Sequence, residues 1–341
     1  MRRHIARSAL TGLVAALICA AVLAAGAQAR AYHAPRTAFD QPDLQGFWTN
    51  GSQTRLERAP GEPLTFATEA QEQAYARRRT EAWNRAEAAG LGQGVSEWHQ
   101  DFGPGRIAGR LRTSWIVSPA DGQLPWRPEG KARYEAAVAV QNGEAADGPE
   151  FRSVLDRCLV AGGGAAGPPI MTPNTAAGRQ IVQTRDAVAI LSEMNHELRI
   201  VHLGGLHAPA ALRPWMGDSI GRWEGETLVV ETVGFHPQEG FRAQFLISPD
   251  ARVTERFTRL GATQILYAFE VDDPANYTAV WKGEMPLNAD SGPIYEYACH
   301  EGDRDLEEFL SAARRRDAAA VAPAPAYFSG ARPPARIPGS E

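Results

Sequence analysis

From about residue 180 to residue 300 the chain alternates apolar and polar residues in short runs, with turn residues between them. This pattern limits the available folds more than any other feature. The runs are residues 180–184, 188–194, 198–203, 227–233, 253–259, 264–271, 277–284 and 294–300. Period-two alternation places every second side chain on one face. Strands at this spacing with no helical pattern between them predict an antiparallel sandwich or barrel. A barrel is favoured, because closure removes the edges and leaves a central pocket. Glu224-Gly225, between Arg222-Trp223 and the Thr227 run, suits a tight hairpin. Gly261-Ala262-Thr263 and Asp272-Asp273-Pro274 supply further turns.

Parity then sorts side chains. Ile265, Tyr267, Phe269 and Val271 share a face, and Glu255 lies with Val253 and Phe257 on another apolar face. A carboxylate there must be paired, hydrogen-bonded or shifted in pKa. Tyr295, Tyr297 and Cys299 share a side opposite Glu296 and His300.

The first half reads differently. Residues 1–29 have an arginine-rich start, an apolar run and Ala27-Gln28-Ala29, the pattern of a removable export signal. Residues 30–175 form an N-terminal segment with a first strand at 44–49 and a β-like piece at 113–117. Two helices, expected to pack on the barrel, complete it. The first spans 68–89, opened by a Thr68-x-x-Gln71 capping box, with Phe66, Ala70, Ala74, Ala82 and Ala86 at helical spacing. The second runs from Pro128 to about Gln141. The barrel is assigned to 176–316, and an Ala/Pro-rich tail, extended or disordered, to 317–341.

Without the signal, 32 basic residues face 40 acidic ones, which argues against a nucleic-acid partner. The only lysines are Lys131 and Lys282, so Schiff-base chemistry has few carriers. No other apolar run is long enough to span a bilayer, and no lipid anchor is expected. Cys158 and Cys299 survive processing; in an oxidising compartment such a pair forms a disulfide.

Two motif matches fail on context. Gly217-Asp218-Ser219-Ile220-Gly221 fits G-x-S-x-G, but a nucleophile elbow needs a strand before the serine and a helix after it. A turn stabilised by Asp218 and Ser219 is expected instead. Gly162-x-Gly164-x-x-Gly167 fits a dinucleotide fingerprint, but Pro168-Pro169 stands where its helix should start, so a flexible loop is expected.

The candidate chemistry lies near strand ends. His196, flanked by Glu193 and Glu197, suits a general acid–base pair and equally a polar hairpin turn. His207 precedes Trp215 and Asp218 in a loop; His207 and Asp218 can orient each other there, or the loop is plain surface. Glu255 is the buried partner. Trp215, Trp223, Tyr277 and Trp281 suit a flat apolar ligand and equally a core. The histidines show no compact metal-ligand spacing, so neither metal nor cofactor is assigned.

Several blocks resemble a family of uncharacterised exported bacterial proteins: 43–50, 112–117 with 119–122, 157–158, 180–184, the 215–225 stretch carrying G-D-S-x-G-x-W-E-G, 255–257, 272–274 and 297–301. Both cysteines fall inside such blocks, which the resemblance reads as a structural bridge. Similar proteins often carry a His shortly before Glu255-Arg256-Phe257. This chain has Arg252, so a histidine base there does not carry over. Gly46-x-Trp48 resembles the start of a lipocalin barrel, where the Trp closes one end.

The expected molecule is mainly β: an antiparallel lipocalin-like barrel with a helical N-terminal segment. Its expected function is periplasmic, cofactor-independent acid–base catalysis (lyase, isomerase or hydrolase) on a small, partly aromatic molecule. His196 or His207 is the base, with Asp218 or Glu193 assisting. The alternative is a non-catalytic lipocalin-like binding protein. A structural envelope protein is favoured only if side chains fill the barrel.

Overall fold

The alternating runs pair edge to edge into a closed ring. The computed structural model describes residues 32–88, 103–142, 148–160, 164–173, 176–209, 211–242 and 244–319. The expected export signal and most of the expected tail lie outside them. The ring consists of β1 (Gly46–Thr49), β5 (Gly178–Gln183), β6 (Ala187–Ser192), β7 (Leu198–Leu203), β8 (Asp218–Glu224), β9 (Thr227–Val233), β10 (Arg252–Gly261), β11 (Gln264–Asp272) and β12 (Trp281–Ala289). They pair in that order, and β1 closes onto β12, giving nine strands. The remaining edge of β12 takes β4 (Ile116–Ser118). β2 (Arg106–Ile107) and β3 (Arg110–Leu111) form a separate ribbon.

Three expectations need correcting. The barrel is mixed, because β7 and β8 run parallel in the register Val201↔Ser219 to Leu203↔Gly221. The link 204–217 starts through Gly204 and Gly205, both left-handed, and returns to the starting end of β7 before entering β8. Asp218 and Ser219 therefore begin a strand where a turn was expected. Residues 294–300 form no strand: β11 holds one edge of β12, and β1 and β4 share the other. A helix, α3 (Asp305–Ala319), follows and extends into the first residues of the expected tail.

Inward positions carry the core. Trp48, Phe257, Tyr267, Phe269, Trp281, Met285 and Leu287 are all buried. Phe269 meets Trp281 edge-on, with ring centroids 5.5 Å apart. Gly283 makes room for that ring: a Cβ there would lie 2.3 Å from Phe269. At the end of the barrel carrying the β8–β9 and β10–β11 turns, Trp48 donates from Nε1 to the Leu44 carbonyl at 3.0 Å, and Arg259 lies over its ring. At the opposite end two segments enter. One is 164–173, from which Ile170 and Met171 are buried; the expected flexible loop is thus, from Gly164 onward, a stopper. The other is 241–247, whose Leu246 N–H donates to the Tyr277 hydroxyl at 3.0 Å. The lumen is filled with side chains.

α1 (Glu69–Ala88) begins with the expected capping box: Thr68 N–H donates to Gln71 Oε1 at 3.2 Å, and Gln71 N–H to Thr68 Oγ1 at 3.3 Å. Its inner face takes Ala82 and Ala86 of the alanine series but is led by larger side chains. It runs through Glu72 and Tyr75, both buried, and on to Arg79 and Trp83. Glu72 accepts from Arg106 Nη1 at 2.5 Å and from Leu111 N–H at 3.2 Å, which is how a carboxylate tolerates that face. α2 (Pro128–Asn142) crosses the turn before β12 so closely that a Cβ on Gly130 would lie 2.3 Å from the Asn276 carbonyl. The Cys158–Cys299 disulfide forms, joining positions 141 residues apart. No helix among the described residues is long and apolar enough to cross a membrane.

Candidate functional site

Inside the barrel Glu255, Arg199 and Tyr267 bind one another, although Arg199 Nε and the nearby Arg179 Nε have no partner. Glu255, fully buried, receives Arg199 Nη1 at 2.5 Å and Nη2 at 3.0 Å, the parallel fork suited to a carboxylate. Tyr267 donates its hydroxyl to Glu255 Oε1 at 2.7 Å and accepts from Ile170 N–H at 2.7 Å. Burial alone would pull the Arg199 guanidinium down, but the Glu255 carboxylate reverses this and raises its pKa. Burial, then Glu255, pushes Tyr267 well up. Arg179 donates to Asn50 Oδ1 at 2.5 Å, to the Ala177 carbonyl at 2.8 Å and also to the Ala165 carbonyl; burial lowers its pKa to about 10. Glu255 thus ties the stopper to the wall and meets no histidine.

His207 sits on the outside of the same wall. Its Nδ1 is 2.7 Å from Asp218 Oδ2, and its Nε2 is 3.1 Å from Glu231 Oε1. Glu231 Oε2 pairs with Arg252 Nη1 at 2.5 Å, and Ala208 N–H donates to Asp218 Oδ2 at 3.0 Å. The expected His207–Asp218 contact is present. Glu231 and Arg252 complete a chain that the sequence reading missed. Parity explains it: Asp218 and Glu231 alternate with inward-facing Ser219 and Thr232, whose hydroxyls lie 2.8 Å apart. Arg252 first, and then His207, hold the Glu231 carboxyl below its usual range. Ser219, buried and bound to Thr232, cannot serve as a nucleophile at this surface.

The other expected residues are scattered. His196 is exposed, and its Nε2 accepts from Tyr297 N–H at 2.7 Å. Glu193 is half-buried on the same turn; desolvation and then Asp290 raise its pKa. Trp215 stacks on His236 at 4.1 Å between centroids. Trp223 is partly buried against the core. Tyr277 and Trp281 are buried members of that core, so as ligand-binding residues both are corrected: neither presents a face to solvent. Among the described residues no three His, Cys, Asp or Glu side chains stand in a metal-binding group.

A cavity of about 380 Å³ opens elsewhere, between α1 and the stoppered end of the barrel. Arg79, Ala82, Trp83 and Ala86 of α1 form one wall, residues 52–56 and Trp115 another, and Met171, Thr172, Pro173 and Gln244 the rest. Among the described residues no acidic side chain lines it. Arg79 donates to the Gln53 carbonyl at 2.9 Å; burial and then neighbouring Arg55 lower its pKa. Arg55 has no carboxylate within ion-pair distance among the described residues. Gln53 Oε1 and Trp115 Nε1 are buried on this wall without hydrogen-bond partners. None of the expected site residues lines the cavity. The available signal was the α1 spacing Tyr75, Arg79, Trp83, one side chain per turn on one face.

Comparison with protein-family models and with curated proteins finds no match to this chain.

Proposed function

We propose that this is an exported small-molecule-binding protein, lipocalin-like in its closed barrel and its Gly46-x-Trp48 strand, that holds a small, partly aromatic ligand outside the lumen in the cavity beneath α1. The supporting observation is the contrast in accessibility. The inward side chains of the barrel form a buried cluster, whereas the cavity has a volume suited to a small organic molecule and aromatic walls in Trp83 and Trp115. The disulfide is consistent with export into an oxidising compartment. A filled barrel alone would favour a structural envelope role; the cavity turns the reading toward binding. The test is a thermal-shift screen of the mature chain against aromatic acids, amides and alcohols. Hits that raise Tm, and lose the effect in Trp83→Ala, support the reading. Hits unaffected by Trp83→Ala and by Trp115→Phe would contradict it.

A second reading, acid–base catalysis of a lyase, isomerase or hydrolase type, is favoured by one arrangement. His207 stands between Asp218 and Glu231 at hydrogen-bond distance from both. Such a setting, an imidazole flanked by carboxylates, is the geometry that general acid–base chemistry uses. Turnover that His207→Ala abolishes and Arg55→Gln spares would favour this reading over the first.

A further inference from the structure

The lining of the cavity narrows the ligand class. Two guanidinium groups, exposed Arg55 and half-buried Arg79, face a wall without a carboxylate among the described residues. Guanidinium is planar, stays charged and matches a carboxylate through two parallel N–H donors. Arg79 spends one donor on the Gln53 carbonyl, and Arg55 keeps its fork without an ion-pair partner among the described residues. Two like charges brought together here disfavour each other, and Arg79 registers that as well as its burial. An anion in the cavity would relieve both effects.

The remaining lining supplies the rest of the recognition. Trp83 and Trp115 offer flat apolar surface, with Met171 as a third, polarisable wall. Gln53 is 6 % exposed and Trp115 2 %; the Gln53 amide oxygen is an acceptor and the Trp115 indole a donor, both without partners. The cavity therefore offers cations beside aromatic walls.

We propose that the cavity beneath α1 selects a planar aromatic carboxylate, with Arg55 and Arg79 taking the carboxylate and the tryptophans the ring. This rests on the binding reading above and adds the charge. Neutral molecules of the same shape should enter poorly, because they leave the two cations unneutralised.

The probes are 2-naphthoate and its neutral isostere 2-naphthamide, each titrated calorimetrically into the intact disulfide-bonded chain. The carboxylate should bind at least about tenfold tighter, since charge-assisted hydrogen bonds are roughly twice as strong as neutral ones. Arg55→Gln should cut that preference to about threefold or less, and raised salt should weaken the carboxylate alone. Arg79→Gln, which gives up the Gln53 contact as well, is the second variant. Equal affinity for both probes, weakened in both by Trp83→Ala, overturns the anion assignment and leaves the cavity as a ligand site. A preference that survives both arginine substitutions overturns the assignment to these residues. If neither probe binds, the aromatic-ligand reading itself falls.

Discussion

The lumen of the barrel buries its charged side chains, whereas at the cavity beneath α1 Arg79 is half-buried and Arg55 is exposed. In the lumen the buried charges are paired or hydrogen-bonded, although Arg179 Nε and Arg199 Nε have no partner: Glu255 holds two donors of Arg199 and the Tyr267 hydroxyl, and Arg179 reaches backbone carbonyls and Asn50. In the cavity, Arg55 and Arg79 share a wall without an acid among the described residues. Paired buried charge mainly fixes structure, whereas unpaired charge beside open volume leaves recognition to be completed by something else. That difference moves the site from the barrel interior to its covered end.

The comparison can be broken most forcefully in the lumen. Glu255→Ala strands Arg199 and Tyr267, and should cost about 3–5 kcal/mol in urea unfolding, or prevent folding altogether. A loss below about 1 kcal/mol would mean the network is not structural. Gly283→Ala drives a methyl into Phe269 and should cost about 1–3 kcal/mol, measured the same way. If the fold survives, ligand affinity should stay near that of the parent, because Gly283 belongs to the lumen alone. Arg55→Gln sharpens the contrast from the other side. It should change stability by no more than about 0.5 kcal/mol while removing stabilisation by an aromatic carboxylate.

The smallest effect belongs to the outer wall. Glu231 is held below its usual range chiefly by Arg252, so its contribution to stability is present above the unfolded value of 4.5 and is lost as pH falls through the lower folded one. The Tm difference between the parent and Arg252→Gln should therefore be visible at neutral pH and vanish in acid. A difference that grows in acid would reverse the assignment.

Alternation legible in the sequence carried the barrel well, because the period-two signal of 198–203, 227–233 and 264–271 is set by burial on one face. It failed where topology decides. The link 204–217 looks like any polar loop, and nothing local shows that it returns to make β8 parallel to β7. Residues 294–300 alternate well enough for a strand but find no free edge. The inward placement of Glu255 followed from parity, yet parity does not name Arg199 as its partner. His207 and Asp218, eleven residues apart, were within local reach; Glu231 and Arg252 joined them only through strand pairing. The cavity was hardest to see. Its walls come from α1, residues 52–56, Trp115 and the stopper, and the relevant face of α1 carries Arg79 and Trp83 among the alanines Ala82 and Ala86.

The central claim is that a ligand enters beneath α1 and leaves the lumen undisturbed. The chain has eight tryptophans, and those decisive for this claim are divided between the two regions, Trp83 and Trp115 against Trp48 and Trp281. Fluorine NMR of protein labelled with 5-fluorotryptophan, with resonances assigned by single substitutions and 2-naphthoate then added, reads both at once. The account predicts shifts at Trp83 and Trp115 with Trp48 and Trp281 unmoved. Shifts at Trp48 and Trp281, with Trp83 and Trp115 unmoved, would contradict it.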